Sequence, residues 1–177
     1  MQYDPRQTGQ PPAPVQPTGF FTGIQVRPII VGVVVDYIAT YGFTYIYFFI
    51  YLAKQLSKQG EVTGDQIRDY MTSPEGLMIG FAIGVLGTAL GGFVAAQKAG
   101  KLGIKHGALV GLCSLILSFI EQSLQEESAS LPEWFRFLSV LAIIPAGALG
   151  GFVAEAFKGF GRSQRQSCQN NAQRRHR

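Results

Sequence analysis

Four long apolar runs leave this chain few folds to choose from. Residues 28–53 hold one ionisable acid, Asp36, and no lysine or arginine; residues 77–96 hold no charge at all. Two further runs, 104–122 and 134–156 with their flanks, carry ionisable groups only near their ends. A helix crossing the hydrocarbon core of a bilayer needs about 17–25 apolar residues. Buried helices of soluble proteins are usually shorter and alternate with charged faces. The sequence therefore predicts an all-α integral membrane protein with four transmembrane helices over residues 24–158. An apolar content of 47% is ordinary for a soluble chain, because it averages greasy spans with polar ends. The charged fraction, 15%, is the more telling figure, since soluble domains carry about 25%.

The two ends differ in kind. Residues 1–23 hold five of the nine prolines and several glutamines, which predicts an extended, solvated tail rather than a secretory signal. Residues 159–177 form a basic tail with Arg162, Arg165, Arg174, Arg175 and Arg177. Lysine and arginine also gather between the second and third runs, at Lys98, Lys101 and Lys105. The other two connections carry eight acids, from Glu61 to Glu133. By the positive-inside rule both termini are expected in the cytoplasm, and an even number of spans agrees with their sharing one side. Trp134 and the Tyr45, Tyr47 and Tyr51 cluster then fall near the opposite interface. The arginine tail is expected to lie on anionic lipid. It has no interleaved aromatic rings on which bases could stack, which argues against a nucleic-acid partner.

ALGGFVA occurs at 89–95 and again at 148–154, and RPIIVG at 27–32 lies loosely over HGALVG at 106–111. The chain thus reads as two helical hairpins related by a parallel repeat. Small residues recur at four-residue spacing: Gly80, Gly84, Thr88 and Gly92 in the second span, then Ala146, Gly150 and Ala154 in the fourth. Such stripes let helix backbones approach closely in lipid, so they are expected to pack helices within the chain or against another copy or membrane protein. Pro145 removes a backbone hydrogen bond from the fourth span, and its kink is expected to face protein.

Little of the sequence carries chemistry. Asp36 falls about 12 Å along its helix from Pro28, near the middle of a bilayer. A charged aspartate there costs about 2.5–3.5 kcal/mol, so it should face the bundle or hold a proton. Thr40 and Thr44 extend a polar stripe from it at helical spacing. The stripe reads as a proton or cation site, or as an interhelical hydrogen bond that fixes packing. Glu155 closes the fourth span and reads as a surface group. The two histidines, His106 and His176, and the two cysteines, Cys113 and Cys168, form no cluster that could ligate a metal. Glycine-rich runs lie inside apolar helices rather than in phosphate-binding loops, and no catalytic motif is present. No enzyme activity, metal or cofactor is expected.

The two hairpins, joined by GGFVAAQKAGKLGIKHGALVGL, resemble the small four-span membrane-protein families of prokaryotes that have no assigned function. The resemblance spans about residues 24–158 and implies a bacterial cytoplasmic (or thylakoid) membrane, with no catalytic residue to carry over. The proline-rich start and a longer first outer connection depart from that compact pattern. The leading expectation is a structural, assembly or regulatory membrane component packed through glycine faces. A small oligomeric transporter or channel using Asp36, and a membrane tether with a basic tail, are the alternatives.

Overall fold

The structure, a computed structural model, describes residues 23–124 and 132–175; the side chains of Gln59 and of residues beyond Gly159 lie outside that description. Five helices follow one another: α1 (Val26–Gln59), α2 (Gly64–Thr72), α3 (Pro74–Ala99), α4 (Gly103–Leu124) and α5 (Glu133–Arg175). The described residues hold no strand. Four of the helices are long and apolar enough to cross a membrane, which is compatible with an integral membrane protein. The proline-rich tail lies outside the described residues, as do the side chains of Arg162, Arg165, Arg174 and Arg175 and the whole of Arg177.

The bundle centres on α3, which packs against α1, α4 and α5. α4 sits between α1 and α5, and those two do not pack together. In a symmetric pair of hairpins α5 would meet α1 as α3 meets α4; here it does not.

Glycine makes the contacts possible. A β-carbon placed on Gly92 would stand 2.3 Å from the Gly147 carbonyl oxygen, and one on Gly150 would stand 1.9 Å from that of Ala89. On α4, Gly107 and Gly111 meet the α5 backbone at Gly147 and Ile143 in the same way, and Gly103 meets Glu155 and Ala96. The α4 stripe Gly103, Gly107, Gly111 was legible as four-residue spacing, yet the repeat drew attention to α3 and α5 instead. Lipid offers no hydrophobic drive between helices, so this backbone-to-backbone fit is a principal source of association.

The expected stripe on α3 divides in two. Gly92 packs against α5, while Gly80 and Gly84 have open space where a side chain would stand. Toward that end of the bundle the aromatic side chains of α1 (Tyr37, Tyr41, Tyr47 and Phe48) stand between the helices, and Gly80 and Gly84 line cavities there. Pro145 also differs from expectation. α5 stays helical through it, and Pro145 is exposed on a shallow groove with Phe81 and Val85. The buried neighbours Ala146, Gly147 and Gly150 take the contact face, which leaves Pro145 on the rim.

Both ends of the bundle are fastened by named side chains. The α3–α4 turn is only Gly100 to Leu102, with Gly100 at φ 74° and Leu102 at φ 54°, a left-handed conformation rare for a branched side chain. Glu155 reaches it from α5 and accepts the Gly103 N–H at the start of α4. One turn further along α5, Lys158 donates to the carbonyls of Ala96 (2.7 Å) and Gln97 (3.0 Å) at the end of α3. An anion thus meets a helix N-terminus and a cation a helix C-terminus, each complementing the helix dipole. Glu155, expected as a surface group, is a cap. At the opposite end α2 is a short polar helix absent from the sequence reading. Thr63 and Gln66 form its capping box. Tyr70 holds it to α1, stacking on Tyr51 with ring centroids 4.1 Å apart and sharing a hydroxyl hydrogen bond with Tyr47.

Candidate functional site

Asp36 lies on the face of α1 turned toward α3 and α4, and it is 4% exposed. Two glycines of α3 admit it. A side chain on Gly87 would collide with Thr40 and the Asp36 carboxylate, and one on Gly91 with the Gly32 carbonyl and the Asp36 β-carbon. Three hydroxyls from three helices donate to the carboxylate. Thr40 on α1 reaches Oδ1 at 3.2 Å, Thr88 on α3 reaches Oδ2 at 3.2 Å, and Ser114 on α4 also bonds Oδ2. Thr44 donates instead to the Thr40 carbonyl at 2.8 Å, one turn along α1. Hydrogen bonds to a charged group contribute about 1.5–3 kcal/mol each, so such a set is large enough to hold an aspartate inside a membrane bundle.

Toward the α2 end the three helices part and leave a cavity of about 240 Å³ above Asp36. α1 supplies Tyr37, Thr40, Tyr41 and Thr44 to its wall; α4 supplies Ser114, Ser118 and Glu121. Gly84 opens the α3 side, and Ile143 of α5 closes the back. Glu121 and Tyr41 are both exposed at the mouth. No lysine, arginine or histidine lines this cavity.

Below Asp36 the bundle is shut. A β-carbon on Gly32 would stand 2.7 Å from Val110, 2.8 Å from Ala95 and 2.8 Å from the Gly91 carbonyl oxygen. One turn further, His106 is fully buried. Its Nε2 accepts the Gln25 N–H at 3.0 Å, so Nδ1 carries the proton and donates to the Leu102 carbonyl at 2.9 Å. His106 therefore ties the entry of α1 to the start of α4. Among the described residues no group of three or more metal-ligating side chains comes together.

The sequence reading found Asp36, Thr40 and Thr44 and missed their partners. Ser114, Ser118 and Glu121 repeat at helical spacing along α4, and Thr88 stood inside a stripe read as packing. Glu121 was counted among the acids of the adjoining connection. The pattern on α4 mirrors that on α1, and pairing the two polar stripes would have revealed the cleft.

Residues 70–154 match the model of a family described as Protein of unknown function (DUF3792). The match takes in the end of α2, then α3 and α4, and α5 as far as Ala154; it leaves out α1 and with it Asp36. No curated protein and no solved structure matches the chain.

Proposed function

We propose that this protein binds a cation, a proton included, at Asp36, drawn from the side of the membrane that bears α2. One observation carries the reading: a buried carboxylate forms the floor of a polar cavity whose mouth is exposed and whose wall has no basic side chain. Intramembrane acids are rare and costly, and they mark ion or proton sites more often than they mark mere packing. The charge distribution supports cytoplasmic termini, so the cleft faces away from the cytoplasm. The seal at Gly32, Ala95 and Val110 makes the cleft a dead end. Carrying a cation across would need that seal to shift, and a transporter built this way would be an oligomer of these small bundles. The test is direct. Wild-type protein in nanodiscs gives a calorimetric binding signal when titrated with sodium or a simple ammonium ion, and Asp36→Asn does not. Equal signals from both would remove Asp36 from the function.

A second reading, a structural, assembly or regulatory component, rests on a different observation. Pro145 is exposed, and it cannot supply an N–H to the Leu141 carbonyl one turn earlier. A carbonyl freed within the membrane calls for a partner, which the helix of a second copy or of another membrane protein would supply. Recovery of the protein from native membrane as part of a stable larger complex supports that reading. The basic tail supports contact with anionic lipid by charge alone.

A further inference from the structure

Resting on the cation reading of the Asp36 cleft, we infer that its ligand is an organic diammonium ion, a short alkyl diamine, bound lengthwise with one end at Asp36 and the other at Glu121. The two carboxylates share one cavity but lie far apart in it. Ser114, which bonds Asp36, is seven residues from Glu121 along α4, or about 10 Å of helix rise. No single metal ion spans that distance, and a calcium ion would want six to eight oxygens gathered around it. Two positive groups joined by an apolar chain match it.

The wall between the acids fits such a chain. Tyr37 and Tyr41 both line the cavity, ring centroids 6.0 Å apart, and aromatic rings attract ammonium groups. Gly84 leaves room opposite, and Ile143 offers an apolar back wall to the methylenes. Thr40, Thr88 and Ser114 spend their protons on Asp36, which leaves their oxygen lone pairs to accept ammonium N–H groups. Thr44 and Ser118 add further acceptors along the path. With no basic residue in the lining, a dication supplies the charge that two acids in one cavity lack. The cavity volume of about 240 Å³ is far more than a proton or a bare ion occupies.

The experiment compares putrescine and cadaverine with n-butylamine by calorimetric titration of the full-length protein in nanodiscs. The expected result is diamine affinity at least about tenfold above that of the monoamine. Glu121→Gln lies at the exposed mouth and is expected to fold; it should erase that difference while keeping monoamine binding. Asp36→Asn should lose both. If wild-type protein binds monoamine and diamine equally, or Glu121→Gln leaves the ratio unchanged, the diamine assignment falls while the cation reading stands. If no amine binds but sodium or a proton still titrates Asp36, the assignment falls in the same way. If nothing titrates at Asp36, both fall together.

Discussion

A single carboxylate sets the problem this bundle solves. Asp36 sits where an aspartate is expensive, and the fold answers with a hydroxyl from each of three helices rather than with a counter-ion. Thr88 ties α3 to α1 here, its one hydroxyl proton lying within reach of both carboxylate oxygens at 3.3 and 3.2 Å. Replacing it by valine keeps its shape and removes the donor. Thr88→Val should lower stability by about 0.6–1.7 kcal/mol, the range of side-chain hydrogen bonds between membrane helices. Thermal unfolding in detergent reads this, and the change should vanish when Asp36 is already leucine, which has no acceptor, if the two act as a pair. At this scale the sequence was informative about the acid and Thr40 and silent about its partners on α3 and α4. Asp36 stands out because charge is rare in an apolar run. Thr88, Ser114 and Ser118 do not, because hydroxyl residues are common in such runs and only three-dimensional register shows which of them point at the carboxylate.

At the scale of helices, glycine does two different jobs that spacing alone could not separate. Gly92 and Gly151 lie where a β-carbon would run into the backbone of a neighbouring helix, at 2.3 Å in each case. Gly84 lies where it would meet nothing, and it lines the cleft. Gly92→Leu and Gly151→Leu should therefore separate α3 and α4 from α5 at a cost of about 1–3 kcal/mol or more, seen as poor accumulation and a lower melting temperature. Gly84→Leu should fold and melt like wild type while weakening cation binding severalfold, because its side chain fills the cavity. A loss of stability in Gly84→Leu equal to that in Gly92→Leu would place Gly84 in the packing set after all. The four long helices were legible from run length. Their contact map was not, because the ALGGFVA repeat puts equivalent glycines in unlike settings: Gly91 packs on α1, whereas its counterpart Gly150 packs on α3. The helix α2 was missed because nine residues with only Ile67, Tyr70 and Met71 on an apolar face make too short a pattern to register, and its Thr63 to Gln66 capping signal was the available clue.

For the whole molecule, the bundle is closed at one end and open at the other. Close glycine contacts, the buried His106 and the Glu155 and Lys158 caps secure the end near the α3–α4 turn. At the α2 end a polar cleft lined by Tyr37 and Tyr41 leads to Asp36. The net charge of +4 hides the same polarity, since bases gather at the closed end and acids at the open one. The central claim is that a cation reaches Asp36 through this cleft. Labelling by dicyclohexylcarbodiimide, an apolar reagent that modifies carboxyls within membranes, tests it most directly, with the adduct located by mass spectrometry of the purified chain. The account predicts an adduct on Asp36 that forms several times more slowly when putrescine is present, and none in Asp36→Asn. Labelling of Asp36 at one rate with and without added cation, sodium included, would contradict it.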